Sequence, residues 1–499
     1  MSNKNLSVEK KSKEILSSLQ NNSDVIAKYF FIAKTPACLI FVDEIVKQDE
    51  ISLNIINPLN NFVGDKKKID LDSILNKNVS LCNASLILED EILIKILKGY
   101  AVLLVENCEG AIAFNVVGYE QRSVEEPPSS TVISGPREGF TESIKTNIGL
   151  IRKRLVSKKL KIEDCELGER TKTAIKLVYF DDLVDSDIVA QIKKRISRVK
   201  IDGVIDSYYI GTILENKPNS IFRQVGNCEK PDIACSKILE GRVAILVDGS
   251  PIVLTVPFVL IEDFQSSNDY YSESHRSSML RVLRIIALIM SIYFPAMFIA
   301  LQLYHYKVLP LKFLVTIIDT TQNLPLNPFL EVFFIIILFD ILFEASIRMP
   351  KYLGIAVSIV GALILGDTAV KAGLVSPPGV MIVAMSAITI YIIPNQSSQI
   401  SILRFIFAFI GGTLGFHGII IGSMFLVAYL CNFDCFGTPY FAPYSPFVKS
   451  DQKDAFIKEN IFEMRNMPQS FPNQKERRFS IENKKRGNKK WKNLFHKGN

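Results

Sequence analysis

The chain is poor in the residues that most often carry chemistry. Its 499 residues include one Trp, four His and eight Cys. There is no CxxC pair, and the nearest pair, Cys431 and Cys435, has no companion ligands. A zinc site needs four convergent nitrogen or sulfur ligands. GxxxxGK, GxGxxG, GxSxG and HExxH are absent, which removes the phosphate loop, the dinucleotide fingerprint, the nucleophile elbow and the zincin helix. No enzyme, cofactor or metal is therefore expected. The N-terminus stays polar to Lys28 and lacks the apolar core of a signal peptide. The first 280 residues are accordingly expected in the cytoplasm, with scattered reduced thiols.

What is present is unevenly distributed. The hydrophobic fraction is 48% and the charged fraction 22%, near the globular average. Mean hydropathy is nonetheless +0.22, so a polar part is joined to a very apolar one, which lies between Val282 and Cys431. This excludes a purely soluble enzyme and a disordered or fibrous chain. The net charge of +7 belongs to the C-terminus: Lys449 to Asn499 holds 14 Lys/Arg against 6 Asp/Glu. The remainder is nearly neutral, so nothing points to nucleic acid as a partner.

Residues 1 to about 275 alternate helical and strand-like runs, as an α/β or α+β region does. Ala37 to Val42 and Ala174 to Phe180 are of strand type, and Asp185 to Val199 is of helical type. A repeat is visible. Lys95 to Gly99 matches Lys237 to Gly241, and each is followed by two apolar strands. Gly99 and Gly241 sit where helices end in a left-handed residue. Asp248-Gly249-Ser250-Pro251 is a hairpin turn, because Gly tolerates positive φ. The expected organisation is a polar arm over 1–35, one subdomain over 36–125 and a second, related one over 136–275. A loop rich in Ser, Pro and Glu divides them. After it, a Gly-containing loop enters a helix whose Ile144, Ile148, Ile151 and Leu155 form one stripe. Arg152, Lys153 and Arg154 lie off that stripe, giving a basic face toward solvent or a partner. Phosphate binding at this helix start is the alternative to a plain structural turn.

Five apolar stretches follow in an expected transmembrane domain over 280–448. They are Val282–Tyr304, Leu326–Ile347, Tyr352–Ala372, Leu374–Pro394 and Leu403–Cys431. The first, as helix, measures about 34 Å, enough to cross a bilayer. The last measures about 43 Å, and Gly411-Gly412 is its expected bend. Leu309 to Ile318 is too short to cross. Arg276, Arg281 and Arg284 before the first stretch, and Arg348 and Lys351 after the second, put those ends on the cytoplasmic side. With the basic tail also inside, the number of crossings is even, between four and six. The second stretch carries Glu331, Asp340 and Glu344 before Arg348, and positions 340, 344 and 348 share one helix face. Acids in a span face a bundle interior or water. An ion-conducting or gating role and a plain Glu344–Arg348 pair both stand open. Gly354, Ser358, Ala362 and Gly366 recur every four residues, a ridge that lets another helix come close. Asp367 and Lys371 follow at the same spacing, then a Ser376-Pro377-Pro378-Gly379 break, either a turn or the interruption of a pore-lining helix. The tail, 449–499, reads as disordered and basic. Phe479, Trp491 and Phe495 among its charges suit adsorption to an anionic leaflet.

These residues together resemble the A subunits of GerA-type germinant receptors of endospore-forming bacteria, from about Ala37 to Phe447. The likeness rests on Gly135-Pro136-Arg137-Glu138-Gly139-Phe140 with the helix Thr146 to Arg154, on Leu246-Val247-Asp248-Gly249-Ser250-Pro251, and on Asp269-Tyr270-Tyr271. It continues in Arg348-Met349-Pro350-Lys351, in Ser358-Ile359-Val360-Gly361-Ala362, and in Phe436-Gly437-Thr438-Pro439-Tyr440. The resemblance implies a two-part cytosolic region ahead of a helical membrane bundle in the inner membrane of the spore, with both termini cytoplasmic. It implies a homo-oligomer that conducts cations, working with a transporter-like B subunit and a lipoprotein C subunit. The paralogous sporulation-stage membrane protein of the family shares much of the pattern. A non-conducting scaffold or assembly subunit and a secondary transporter are the alternatives. Broken spans suit a transporter, but residues 282–431 hold no inverted repeat.

Overall fold

A computed structural model of the chain describes residues 7–60, 71–77, 84–118, 134–322, 324–350, 359, 361, 364–460, 462–474 and 477–478. Its first part is a five-stranded antiparallel sheet. The strands are β1 (Val25–Ile32), β2 (Thr35–Val42), β3 (Ala84–Ile87), β4 (Tyr100–Val105) and β5 (Ala111–Asn115). They lie in the order β1-β2-β4-β5-β3. Successive side chains point to opposite faces, and β2 and β4 are buried on both. Leu39, Phe41, Leu103 and Phe114 pack on one face against Ile51, Ile55 and Ile74. Ile40, Val102 and Leu104 pack on the other against Val8 of α1 (Val8–Ser18) and Ile92 and Ile96 of α2 (Glu89–Leu97).

The second part repeats this plan. Strands β6 (Leu160–Leu167), β7 (Thr173–Phe180), β8 (Gly226–Cys228), β9 (Val243–Val247) and β10 (Val253–Val256) are ordered β6-β7-β9-β10-β8. Helices α3 (Ile144–Arg154) and α5 (Pro231–Leu239) cover one face, and α4 (Ser186–Arg198) the other. The repeat seen in the sequence is thus α2-β4-β5 against α5-β9-β10, and its two glycines take φ values of 85° and 87°. The hairpin β1–β2 is a correction. Strand β1 lies within the expected polar arm, yet it pairs along its whole length with β2, which covers the expected strand Ala37 to Val42. Its turn uses Ala33 and Lys34 at φ 45° and 79°, without the Gly or Asn that marks such turns.

The third part is helical: α6 (Ser274–Leu303), α7 (Leu311–Thr321), α8 (Pro328–Arg348), α9 (Pro377–Ile390) and α10 (Ser397–Cys431). Among the described residues, the helices long and apolar enough to cross a membrane are α6 and the segment Pro394–Cys431 that contains α10. Helix α8 has 21 residues but carries Glu331, Asp340, Glu344 and Arg348, and α9 has 14. Ten of the 21 residues of the expected third span lie outside the described residues, among them Gly354, Ser358 and Ala362 of the small-residue ridge. Helix α10 breaks at Gly415 (φ 60°, ψ −151°), not at the expected Gly411-Gly412. Those two glycines serve contact instead. A Cβ on Gly411 would lie 2.5 Å from the Ala296 carbonyl oxygen of α6, and one on Gly412 would lie 2.2 Å from the Phe329 ring. The carbonyls of Gly412 and Thr413, just before the break, accept from the Tyr304 hydroxyl at 2.9 and 3.0 Å.

Past α10 the chain returns to the second sheet. Asn473 bridges Val184, and the Gln474 amides donate to the carbonyls of Leu183 (3.0 Å) and Val184 (2.7 Å). Phe471 is buried under the Arg242 guanidinium. The part of the tail before Arg478 is therefore a packed strap, where the sequence suggested disorder. Trp491 and Phe495 lie outside the described residues.

Candidate functional site

Two motifs of the second sheet domain meet at the start of α3. Ser143 caps the helix through the Thr146 amide, and Asp248 Oδ1 accepts from the Ile144 amide at 3.2 Å. The Gly249 amide, at φ 85°, donates to the Glu142 carbonyl at 2.9 Å. Phe140 and Gly139 are buried, Pro251 is half-buried and Arg137 is exposed. Glu138 pairs with Lys153 (3.2 Å) and Arg154 (2.5 Å). Partial burial opposes the Glu138 charge, but these two cations hold its carboxyl below the usual range. The Pro136 carbonyl accepts from the buried Lys230 ammonium at 2.7 Å. A Cβ on Gly135 would meet the Tyr271 ring. The helix start is thus occupied by the chain's own groups, which leaves the phosphate reading without an open amide cradle. Of the expected basic face toward solvent or a partner, Lys153 is exposed and Arg154 partly so, while Arg152 turns inward. Arg152 is 1% exposed and grips Asp24 of the first domain through Nε (2.8 Å) and Nη2 (2.9 Å).

Asp269 and Tyr270 lie where the second sheet domain meets the helices. After β10 the chain makes a short turn, Leu260–Phe264, and then Ser267–Tyr270 leads into α6. Asp269 is fully buried and accepts from Arg281 Nε at 3.2 Å and from Arg284 Nη1 and Nη2 at 2.7 and 2.9 Å. Arg281 continues to the strap, donating to the carbonyls of Asp454 (2.7 Å) and Ala455 (2.9 Å). The Tyr270 hydroxyl donates to Asp454 at 2.9 Å, and the buried Lys458 ammonium reaches the carbonyls of Asp269 and Ser272. Burial pushes the Asp454 carboxyl up despite Arg281 beside it. Next to this cluster, Asp263 joins Arg223 to Gln396, the residue before α10. Burial raises the Asp263 carboxyl, whereas Arg242 and Lys237 overcome burial at Glu262 and hold that carboxyl low. One buried network therefore ties the sheet domain to the bases of both long apolar helices and to the strap.

The acids of the helical part have separate fates. Glu331 is 1% exposed, and its Oε1 accepts from the Ser376 amide (2.7 Å) and hydroxyl (2.6 Å). It thereby steadies the Ser376 cap of α9, and a Cβ on Gly379 would strike it. Asp340 pairs with Arg404 of α10 rather than within the expected stripe, while accepting from Ser401 at 2.9 Å. Glu344 and Arg348 form an exposed pair, as do Asp367 and Lys371. Gly361 packs close to Leu342, and Gly366 has open space around it. Arg404, Asp263, Asp454 and Lys458 were not singled out by sequence reasoning, and Arg152 was read only as part of a basic face. Their one signal was a charge inside or beside an apolar run, as at Arg404, and the partners lie 40 to 189 residues away.

Comparison with known proteins extends over this whole arrangement. The family model described as Bacillus/Clostridium GerA spore germination protein matches residues 13–470. Spore germination protein KA of Bacillus subtilis (strain 168) is 33% identical over 88% of this chain and 82% of its own. Spore germination protein GerLA of Bacillus cereus is 31% identical over 89% of this chain and 92% of its own. An uncharacterized membrane protein of B. subtilis, YfkQ, is 34% identical over 90% and 88%. The crystal structure of the N-terminal domain of the A subunit of the Bacillus megaterium spore germinant receptor GerK3 is also similar. It has 25% identity and a TM-score of 0.38, over 50% of this chain and 94% of that one. On the extent of the family match and of these relatives, the chain belongs to the GerA family of spore germination proteins.

Proposed function

We propose that this chain is the membrane subunit of a nutrient germinant receptor that triggers spore germination, and that copies of it assemble into a cation-conducting channel. The observation that carries the reading is the span of the family match, from α1 to the strap, which includes the buried network at Asp269. A receptor subunit must pass an event in one part to another. Here the sheet domain and the bases of α6 and α10 share buried charges rather than a loose linker. The helices lie in the inner membrane of the spore with both termini cytoplasmic, a placement supported by Arg276, Arg281 and Arg284 at the base of α6. A transporter-like B subunit and a lipoprotein C subunit complete the receptor.

A non-conducting scaffold is the second reading, and one observation favours it: Glu331 and Asp340 both spend their charge within the chain. The receptor reading is tested in spores that lack this chain. They should fail to germinate in a nutrient that germinates the parent strain, and recover when the gene is restored. An unchanged response to all nutrients that act on the parent would overturn it.

A further inference from the structure

Arg404 is a buried charged group of the helical part with unused hydrogen-bonding capacity. Its side chain is fully buried, yet among the described residues only its Nη2 has a partner, Asp340, and Nε and Nη1 have none. Buried donors in proteins are nearly always satisfied, and a guanidinium makes its strongest bonds to oxyanions. Arg404 lines a cavity of about 600 Å³ whose walls come from α8, α9 and α10 together with Gly361 and Gly366. The polar end of that cavity is formed by Tyr391, Ser397, Ser398 and Ser401, and its other wall by Phe339, Leu342, Val380, Ala384 and Ala387.

The charges around the cavity are balanced. Asp340 is neutralised by Arg404 and Glu344 by Arg348. What the site lacks is an acceptor, not a counter-charge. The depth of the site adds a second constraint. Gln396, just before α10, touches Asp263 of the sheet domain, so the serine end of the cavity lies at the edge of the helical part nearest that domain. With α8–α10 in a bilayer, as the proposed function requires, that edge is at headgroup depth and the apolar wall faces acyl chains.

We infer that this cavity is a phospholipid site: the phosphodiester oxygens accept from Arg404 Nε and Nη1 and from the hydroxyls of Ser397 and Ser398, and an acyl chain lies along the Leu342–Val380–Ala384 wall. The same acceptor chemistry is available from free phosphate, so the test includes both. The full chain is first taken from membranes washed with alkaline carbonate, then stripped of lipid in detergent. It is next titrated with phosphatidylglycerol or inorganic phosphate and observed by native mass spectrometry. The site predicts one retained phospholipid per chain and no comparable retention of phosphate. The neutral pair Asp340→Asn with Arg404→Gln should lower lipid occupancy at least tenfold. Ala387→Phe, which keeps the ion pair and fills the cavity, should do the same. Loss of the chain to the carbonate wash would overturn the membrane reading beneath this inference. Carbonate resistance with undiminished lipid in both variants, or phosphate bound in place of lipid, would overturn the site alone.

Discussion

At the scale of single residues, burial decides which charges matter. Asp269 is fully buried and pairs with two guanidiniums, Arg281 and Arg284. Removing one partner of a buried pair costs about 3–5 kcal/mol, because the remaining charge is left uncompensated. Asp269→Ala should therefore lower the stability of the solubilised full chain by that order in thermal or denaturant unfolding. Arg348→Ala opens an exposed pair, and exposed pairs contribute about 0–1 kcal/mol, so its unfolding midpoint should barely move. Glu262 and Asp263 are adjacent and titrate in opposite senses. The Glu262 carboxyl is held low, so its contribution is present above the usual glutamate range and is lost as pH falls through the depressed value. The Asp263 carboxyl is raised, so stability declines as pH climbs from the usual aspartate range through the raised value. Stability profiles should accordingly show a shallower acid-side loss in Glu262→Gln and a weaker decline on the rising side in Asp263→Asn. Unaltered slopes in both variants would remove these carboxylates from the account.

At the scale of elements, close approach of α6 and α10 rests on Gly411. A side chain there meets backbone that has no room to rotate away, the Ala296 carbonyl, and overpacking typically costs about 1–3 kcal/mol. Gly411→Val should destabilise the helical part by at least that, read as a fall in melting temperature, while Gly366→Val, with nothing among the described residues within 4 Å, should be nearly silent. Equal effects would mean that α6 and α10 do not pack in this way. The comparison also shows what was legible. The sequence pattern drew attention to glycines at regular spacing, but spacing does not say which face meets a neighbour. The helix–hairpin repeat was readable because Gly99 and Gly241 mark the same local event twice. The hairpin at Ala33 and Lys34 was not, since its turn is held by pairing along eight residues rather than by turn chemistry. The charges of Arg152 and Arg404 were visible; their partners, Asp24 and Asp340, are joined to them only by the fold.

At the scale of the molecule, the strap makes the C-terminal segment part of the junction. Truncation after Val448 would remove Asp454, Ala455 and Lys458, taking carbonyl acceptors from Arg281, which is 1% exposed. Limited proteolysis should then cut near Tyr270 and Tyr271 in the truncated chain but not in one ending at Arg478. Equal resistance in the two would reduce the strap to an ornament of the surface. The central claim is that this chain forms a cation path controlled through that junction. The most direct measurement is potassium release from loaded vesicles containing the purified full chain. The account predicts release that rises with the number of chains per vesicle and is altered by Asp269→Asn. Sealed vesicles that hold their potassium at every density of membrane-inserted chain would contradict it and leave the scaffold reading in its place.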